Sequence, residues 1–239
     1  MQERSIIGSL LLGALLCVGL TVLGALLADG IIKYREADRS VAVKGLAEQE
    51  VNADVAIWPI RFTEVDNEIG PLFNTINSKN EKVRLYLRQQ GFTDDEISVN
   101  VPAIQDRQAQ GFSEEQIKSG RYAGSSTLTV YSQDIDKVRK AMAGLMQLGQ
   151  DGIAISGQDY EARTQFLYTG LNQIKPGMIE QATRNAREVA EKFAHDSGSK
   201  LGKIKRANQG QFTIEDRDSN TPYIKRVRIV STVEYYLVD

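Results

Sequence analysis

The stretch VAVKGLAEQEVNADVAIWPIRF, residues 41–62, decides the fold. Val41, Val43, Gly45 and Ala47 alternate with polar or charged neighbours, the period-two pattern of a half-buried strand. Asn52-Ala53-Asp54 supplies turn chemistry, and Ala56, Trp58, Ile60 and Phe62 then alternate again. Two such runs joined by a short turn read as two successive strands. Pro59 lies inside the second run and has no N–H for a ladder, so the strand is expected at a sheet edge, or bulged, at that point.

Outward from these two strands towards the C-terminus, the period becomes helical near Glu68. Ile69, Leu72, Phe73, Ile76, Val83 and Leu87 fall on one stripe, interrupted by Asn80, and Gly91 is placed to cap it. Ile97, Val99 and Val101 form a third strand. Thr93 with Glu96, and Ser113 with Gln116, have capping-box spacing; the second pair opens one helical turn inside the polar stretch Gln105–Gly120. Tyr122 to Tyr131 is a fourth strand. Asp134 or Asp136 opens a helix with Val138, Met142, Leu145 and Met146 turned inward, and Ile153 and Ile155 begin a fifth strand expected to run to Tyr168. Lys175-Pro176-Gly177 leads into a helix whose face of Met178, Ile179, Ala182, Ala186, Val189, Ala190 and Phe193 is narrow enough to lie close against a sheet or another helix. Gly198 ends it. Ile204, Phe212 and Ile214 mark a sixth strand, and Val227, Ile229, Val233, Tyr235 and Leu237 the last. The order ββα-ββα-βα-ββ predicts an α+β fold, a largely antiparallel sheet or sheets with helices packed on one side.

Towards the N-terminus, Ile6 to Leu27 is 22 residues without a charge. A helix of that length reaches about 33 Å, close to the ~30 Å hydrocarbon core of a bilayer. The run is longer than the ~7–15-residue apolar region of a cleavable signal, and Ala25 to Ala28 is a poor cleavage site. The expected organisation is therefore a tail (1–5), one transmembrane helix (6–27), a linker (28–39) and one α+β domain (40–239). Ser9, Gly13, Cys17, Thr21 and Ala25 recur every four residues, a small-residue stripe suited to close packing between helices. Arg4 before the span, and Lys33, Arg35 and Arg39 after it, leave the orientation open.

Composition narrows the chemistry. The chain has 29 basic and 31 acidic residues, net −2, without the basic excess of a nucleic-acid binder. Cys17 is the only cysteine and His195 the only histidine. His195, beside Asp196 at a helix C-terminus, reads as a cap rather than a general base. No phosphate-binding glycine loop occurs, no serine has a second histidine to activate it, and Asp94-Asp95-Glu96 and Glu114-Glu115 fall within capping sequences. No catalytic, cofactor-binding or metal-binding residue is therefore assigned, and no cofactor is expected. Lys200, Lys203, Lys205 and Arg206, with Lys225, Arg226 and Arg228, form a basic cluster on the last strands, readable as a solvated face or as a patch for acidic partners or lipid headgroups. The candidate oligomer or partner surface comprises Ala182, Ala186, Ala190, Lys203, Lys205, Arg206, Arg226 and Arg228.

Several short motifs together resemble SIMPL-domain proteins. They are Val43-Lys44-Gly45 followed by a turn and Asp54; Leu87 to Gly91 followed by Asp95 and Ile97; Tyr122-Ala123-Gly124-Ser125 followed by Leu128 and Val130; and Ala182, Ala186, Ala190 and Ala194 followed by Gly198, Leu201, Gly202 and Ile204. The resemblance covers about residues 40–238. It implies a bacterial periplasmic setting, ring- or channel-like homo-oligomers, a link to oxidative-stress defence and envelope integrity, and no established catalytic residues. With the apolar N-terminus, the expectation is a single-pass inner-membrane protein with its C-terminal domain in the periplasm. Its partners would be itself, the lipid bilayer and another membrane or envelope protein. The expected function is a non-enzymatic homo-oligomeric scaffold; the alternative is a binding module that recruits or regulates a membrane partner through Gln105–Gly120 or the basic strands.

Overall fold

The computed structural model describes Gly13 and residues 15–30, 38–155 and 163–238. The chain divides into two compact units. A central unit comprises Gln49–Ile174 and Ile214–Val227, and a terminal unit comprises Met1–Glu48, Lys175–Thr213 and Arg228–Asp239. The expected α+β class holds: helices accompany two sheets, and every strand pair with a described register is antiparallel.

In the central unit, β2 (Val55–Asp66) pairs along its length with β5 (Tyr122–Ser132), from Ala56↔Ser132 to Asp66↔Tyr122. The strands β3 (Ile97–Val99), β4 (Ala103–Asp106) and β6 (Gln165–Leu167) complete a sheet ordered β3-β5-β2-β6, with β4 also on β5. The alternation read in residues 56–62 is the core face: Trp58, Ile60 and Phe62 are buried with Leu72, Ile76, Val83 and Leu87 of α2 (Ile69–Gln89). Asn80, which breaks the α2 stripe, is buried because its Oδ1 accepts the Ser126 hydroxyl at 2.9 Å. Pro59 faces Thr129 of β5, and β6 reaches only Val55–Ile57 on the other side, so the proline interrupts no ladder to β6.

Both capping boxes are present, Thr93 with Glu96 before a short 3-10 turn and Ser113 with Gln116 before α3 (Glu114–Ile117). Asp134 caps α4 (Ile135–Ala143) by accepting the Lys137 amide. The helix expected to continue through Met146 instead breaks at Gly144, where an added Cβ would lie 2.5 Å from the Tyr86 hydroxyl. After the break α5 (Met146–Gln150) turns Leu148 inward and leaves Met146 80% exposed. The expected long fifth strand is represented by one bridge, Phe62↔Ile155, and by β6; residues 156–162 lie outside the described residues.

The second sheet orders β1 (Ser40–Asn52), β9 (Ile224–Val238) and β7 (Lys200–Gln209), with β8 (Thr213–Asp216) on β9. In the terminal unit α6 lies on β1; this helix spans Leu171–Asp196, so it starts before the expected Met178 and carries Pro176 within it. A Cβ added to Gly45 would sit 1.9 Å from the Ala182 carbonyl oxygen and 2.5 Å from the Ala186 nitrogen. Helix and strand backbones therefore touch, and Ala182, Ala186 and Ala190 are fully buried. Because the alanines make this contact alone, Val189 and Phe193, expected on the inward face, turn outward at 42% and 58% exposure.

The expected membrane span is corrected. Residues 15–30 do form a helix, α1, but among the described residues no helix is long and apolar enough to cross a membrane. Gly13 is helical as well and is counted with α1, whose last described turn contains Asp29. Residues 6–12 and Ala14 of the expected span, including Ser9, lie outside the described residues. The single-pass placement in an inner membrane, with a periplasmic C-terminal domain, rested on that span and does not stand.

Candidate interaction surface

Several signature residues are committed to packing or capping. Gly45 admits α6. Asp54, the acid that opens β2, accepts the Thr169 amide at 2.8 Å, the Thr169 hydroxyl at 2.9 Å and the Gly170 amide at 3.1 Å, just ahead of α6. Gly91 takes φ +88° and closes α2 by a Schellman pair, Phe92 N–H to Leu87 C=O and Gly91 N–H to Arg88 C=O. A Cβ on Gly124 would meet the Ile76 Cδ1 at 2.5 Å, and one on Gly202 the Tyr236 carbonyl oxygen at 2.9 Å.

The basic cluster is largely neutralised by acids that sequence reading passed over. Arg228 Nε lies 3.3 Å from Glu48, and Lys205 Nζ lies 2.8 Å from Asp38 and 3.4 Å from Glu234. Arg206 faces Glu234 in register. The Ser40 hydroxyl and then Lys205 hold the Glu234 carboxyl below its usual range, and Asp38 holds the Lys205 ammonium above its own. In the central unit Lys225 is buried against Asp216, and Arg226 donates to the Arg217 carbonyl. Lys203 is exposed and has no acidic partner among the described residues. The off-phase positions of β1, namely Ala42, Lys44, Leu46 and Glu48, are all exposed, so that face of the strand carries Glu48 and a 40%-exposed Leu46. Period-two parity was the available signal for this face. Ala182, Ala186 and Ala190 are interior and offer no surface.

The profile of SIMPL, described as a protein of unknown function (DUF541), matches residues 41–231. The chain belongs to the SIMPL family. Among curated proteins, none matches the chain.

Two of the clustered acids in this SIMPL chain, Asp94 and Glu96, are engaged by cations. Arg88 grips Asp94 through two nitrogens, at 2.7 and 3.0 Å from Oδ1. Burial alone would raise the Glu96 carboxyl, but the Ser132 hydroxyl, the Thr93 amide and the Lys137 ammonium outweigh it and hold the group at about 2. Among the described residues no three His, Cys, Asp or Glu side chains are grouped to hold a metal ion. His195 is exposed at the end of α6, 3.4 Å from Asp196.

On α1, Gly13, Cys17, Thr21 and Ala25 are exposed, and the Thr21 hydroxyl donates back to the Cys17 and Val18 carbonyls at 3.0 and 2.9 Å. The same SIMPL helix exposes eight leucines and valines between Leu15 and Leu27, each at 53–71%. They lie at positions 15, 16, 18, 20, 22, 23, 26 and 27, which span about 200° of a helix with 3.6 residues per turn, and Cys17, Thr21 and Ala25 lie on the remaining side.

Proposed function

We propose that this chain is a non-enzymatic scaffold that assembles with copies of itself. The observation that carries the reading is α1. A helix that exposes leucine and valine over more than half its circumference is stable when something covers it, and exposed apolar surface of this extent marks an interaction site. Copies of the same helix are the cover we assign. The stripe Gly13, Cys17, Thr21 and Ala25 lets backbones approach, and the Thr21 hydroxyl is bonded back to its own helix. The engagement of the signature residues in packing and capping supports the non-enzymatic part. The family resemblance suggests a ring- or channel-like form serving stress defence.

The test is the mass of the full chain by light scattering, beside a variant with Gly13→Leu and Cys17→Leu. The expected result is an oligomer whose subunit number falls in the variant. A chain that is monomeric throughout the micromolar range removes the scaffold reading.

A second reading rests on the loop between β4 and β5. Asp106 and Arg121 pair at 2.7 Å across its base, and Arg107 stands over Phe112, which remains 40% exposed. A braced loop with an exposed aromatic suits a binding module for another protein. Binding of a purified candidate partner, lost on Phe112→Ser with the chain still folded, would favour it.

A further inference from the structure

We infer that the groove at the bulged end of the β7–β9 pair binds the free carboxylate form of a single-chain fatty acid. The ladder between these strands shifts register twice, between Leu201 and Ile204 and between Ile204 and Arg206. A bulge re-aims side chains. Ile204 is 51% exposed although its register partner Tyr235 is buried. Gly202 places no side chain over Tyr236. The result is an open groove of ≈ 720 Å³ lined by Asp38, Gly202, Lys203, Ile204, Tyr236, Leu237 and Val238, with the Asp38 carboxylate paired to Lys205 at 2.8 Å. Its volume falls in the ~300–1,000 Å³ range of small-molecule sites.

The lining has two parts. Ile204, Leu237 and Val238 give an apolar wall, with Val238 47% exposed, and such a wall suits an unbranched alkyl chain. The rim carries two cations of different standing. Lys205 is held by Asp38 and Glu234 and stands 5.5 Å from the Tyr236 ring centre, so its charge is compensated. Lys203 lines the groove without an acidic partner among the described residues. One uncompensated ammonium beside an alkyl wall complements one carboxylate on an alkyl chain. An added β-strand fits poorly here, because two register shifts and the lysines of β7 break the regular edge such a strand would need.

The test titrates the full chain with laurate below its micelle concentration, following the methyl NMR signals of Ile204, Leu237 and Val238. Saturable shifts at these methyls are expected. Lys203→Gln should weaken laurate about threefold, as for an exposed ion pair. Ile204→Asp, at a half-exposed position, should weaken it ~10-fold or more, with unchanged circular dichroism reporting the intact fold. Dodecanol should bind more weakly than laurate and be indifferent to Lys203→Gln. Shifts confined to the α1 leucines, equal affinity for laurate and dodecanol, or an Ile204→Asp variant that binds as before would each overturn the assignment.

Discussion

The two units bury their helices by opposite means. In the central unit α2 stands on the sheet through large side chains: Leu72, Ile76, Val83 and Leu87 interdigitate with Ile60, Phe62, Leu128 and Val130. In the terminal unit α6 rests on β1 because side chains are missing, Gly45 below and the alanines above, and its buried cluster is only Val43, Ala186, Ala190, Val233 and Tyr235. Area stabilises the first arrangement, and close approach of backbones stabilises the second. Side chains can move to other rotamers when a neighbour changes; two touching backbones cannot.

The largest expected effect tests that difference directly. Gly45→Ala places a methyl 1.9 Å from a backbone carbonyl, and a loss of about 4 kcal/mol or more is expected, beyond ordinary overpacking. Hydrogen exchange should show α6 and β1 amides losing protection while those of α2 keep theirs. If both sets open together, the units fold as one block and the contrast fails. Gly124→Ala in the central unit meets only side-chain tips, and about 2 kcal/mol is expected. Adding Ile76→Val removes the Cδ1 in the way, so the double variant should melt above the sum of the single effects by about 1 kcal/mol. Strict additivity would show that the tips are as unyielding as the backbone.

Glu96 gives a pH-resolved probe of the central unit alone. Its carboxyl is lowered from 4.5 to about 2, so its contribution is fully present above pH 4.5 and is lost as pH falls towards 2. Glu96→Gln should cost about 2 kcal/mol at neutral pH and flatten the acid denaturation curve in that window. An unchanged curve would mean that Lys137 and Ser132 stabilise nothing through this group. Asp54→Ala removes the acceptor of the Thr169 and Gly170 amides and should cost about 1 kcal/mol, seen as faster exchange in the first turn of α6. Arg228→Gln, which breaks a surface pair with Glu48, should shift stability by less than about 0.5 kcal/mol in a denaturant titration.

The sequence made legible what depends on neighbours in the chain. The alternation in residues 41–62 gave both strands, the capping boxes at Thr93 and Ser113 gave two turns, and the alanine spacing gave a helix that lies close to its support. Contacts between distant residues were not legible. Nothing local links Asp54 to Thr169, and the charge run from Lys200 to Arg206 looks uncompensated until strand pairing brings Glu234 alongside it. Val189 and Phe193 share the alanine stripe's period, yet a support so close to the alanines leaves no room for larger side chains beside them. The apolar run at the N-terminus was legible as a helix, but apolarity alone did not fix its length or what covers it.

The division of the chain also sets a timetable. The central unit draws most of its residues from one unbroken stretch, Gln49–Ile174, and lacks only Ile214–Val227 until late in synthesis. The terminal unit needs β1 from near the start, α6 and β7 from beyond the midpoint, and the last residues of β9. During translation β1 therefore emerges well ahead of its partners and waits for them, its glycine gap unfilled until α6 leaves the ribosome. Contacts across such long loops form slowly, and an unpaired strand that waits for them is open to the wrong neighbour.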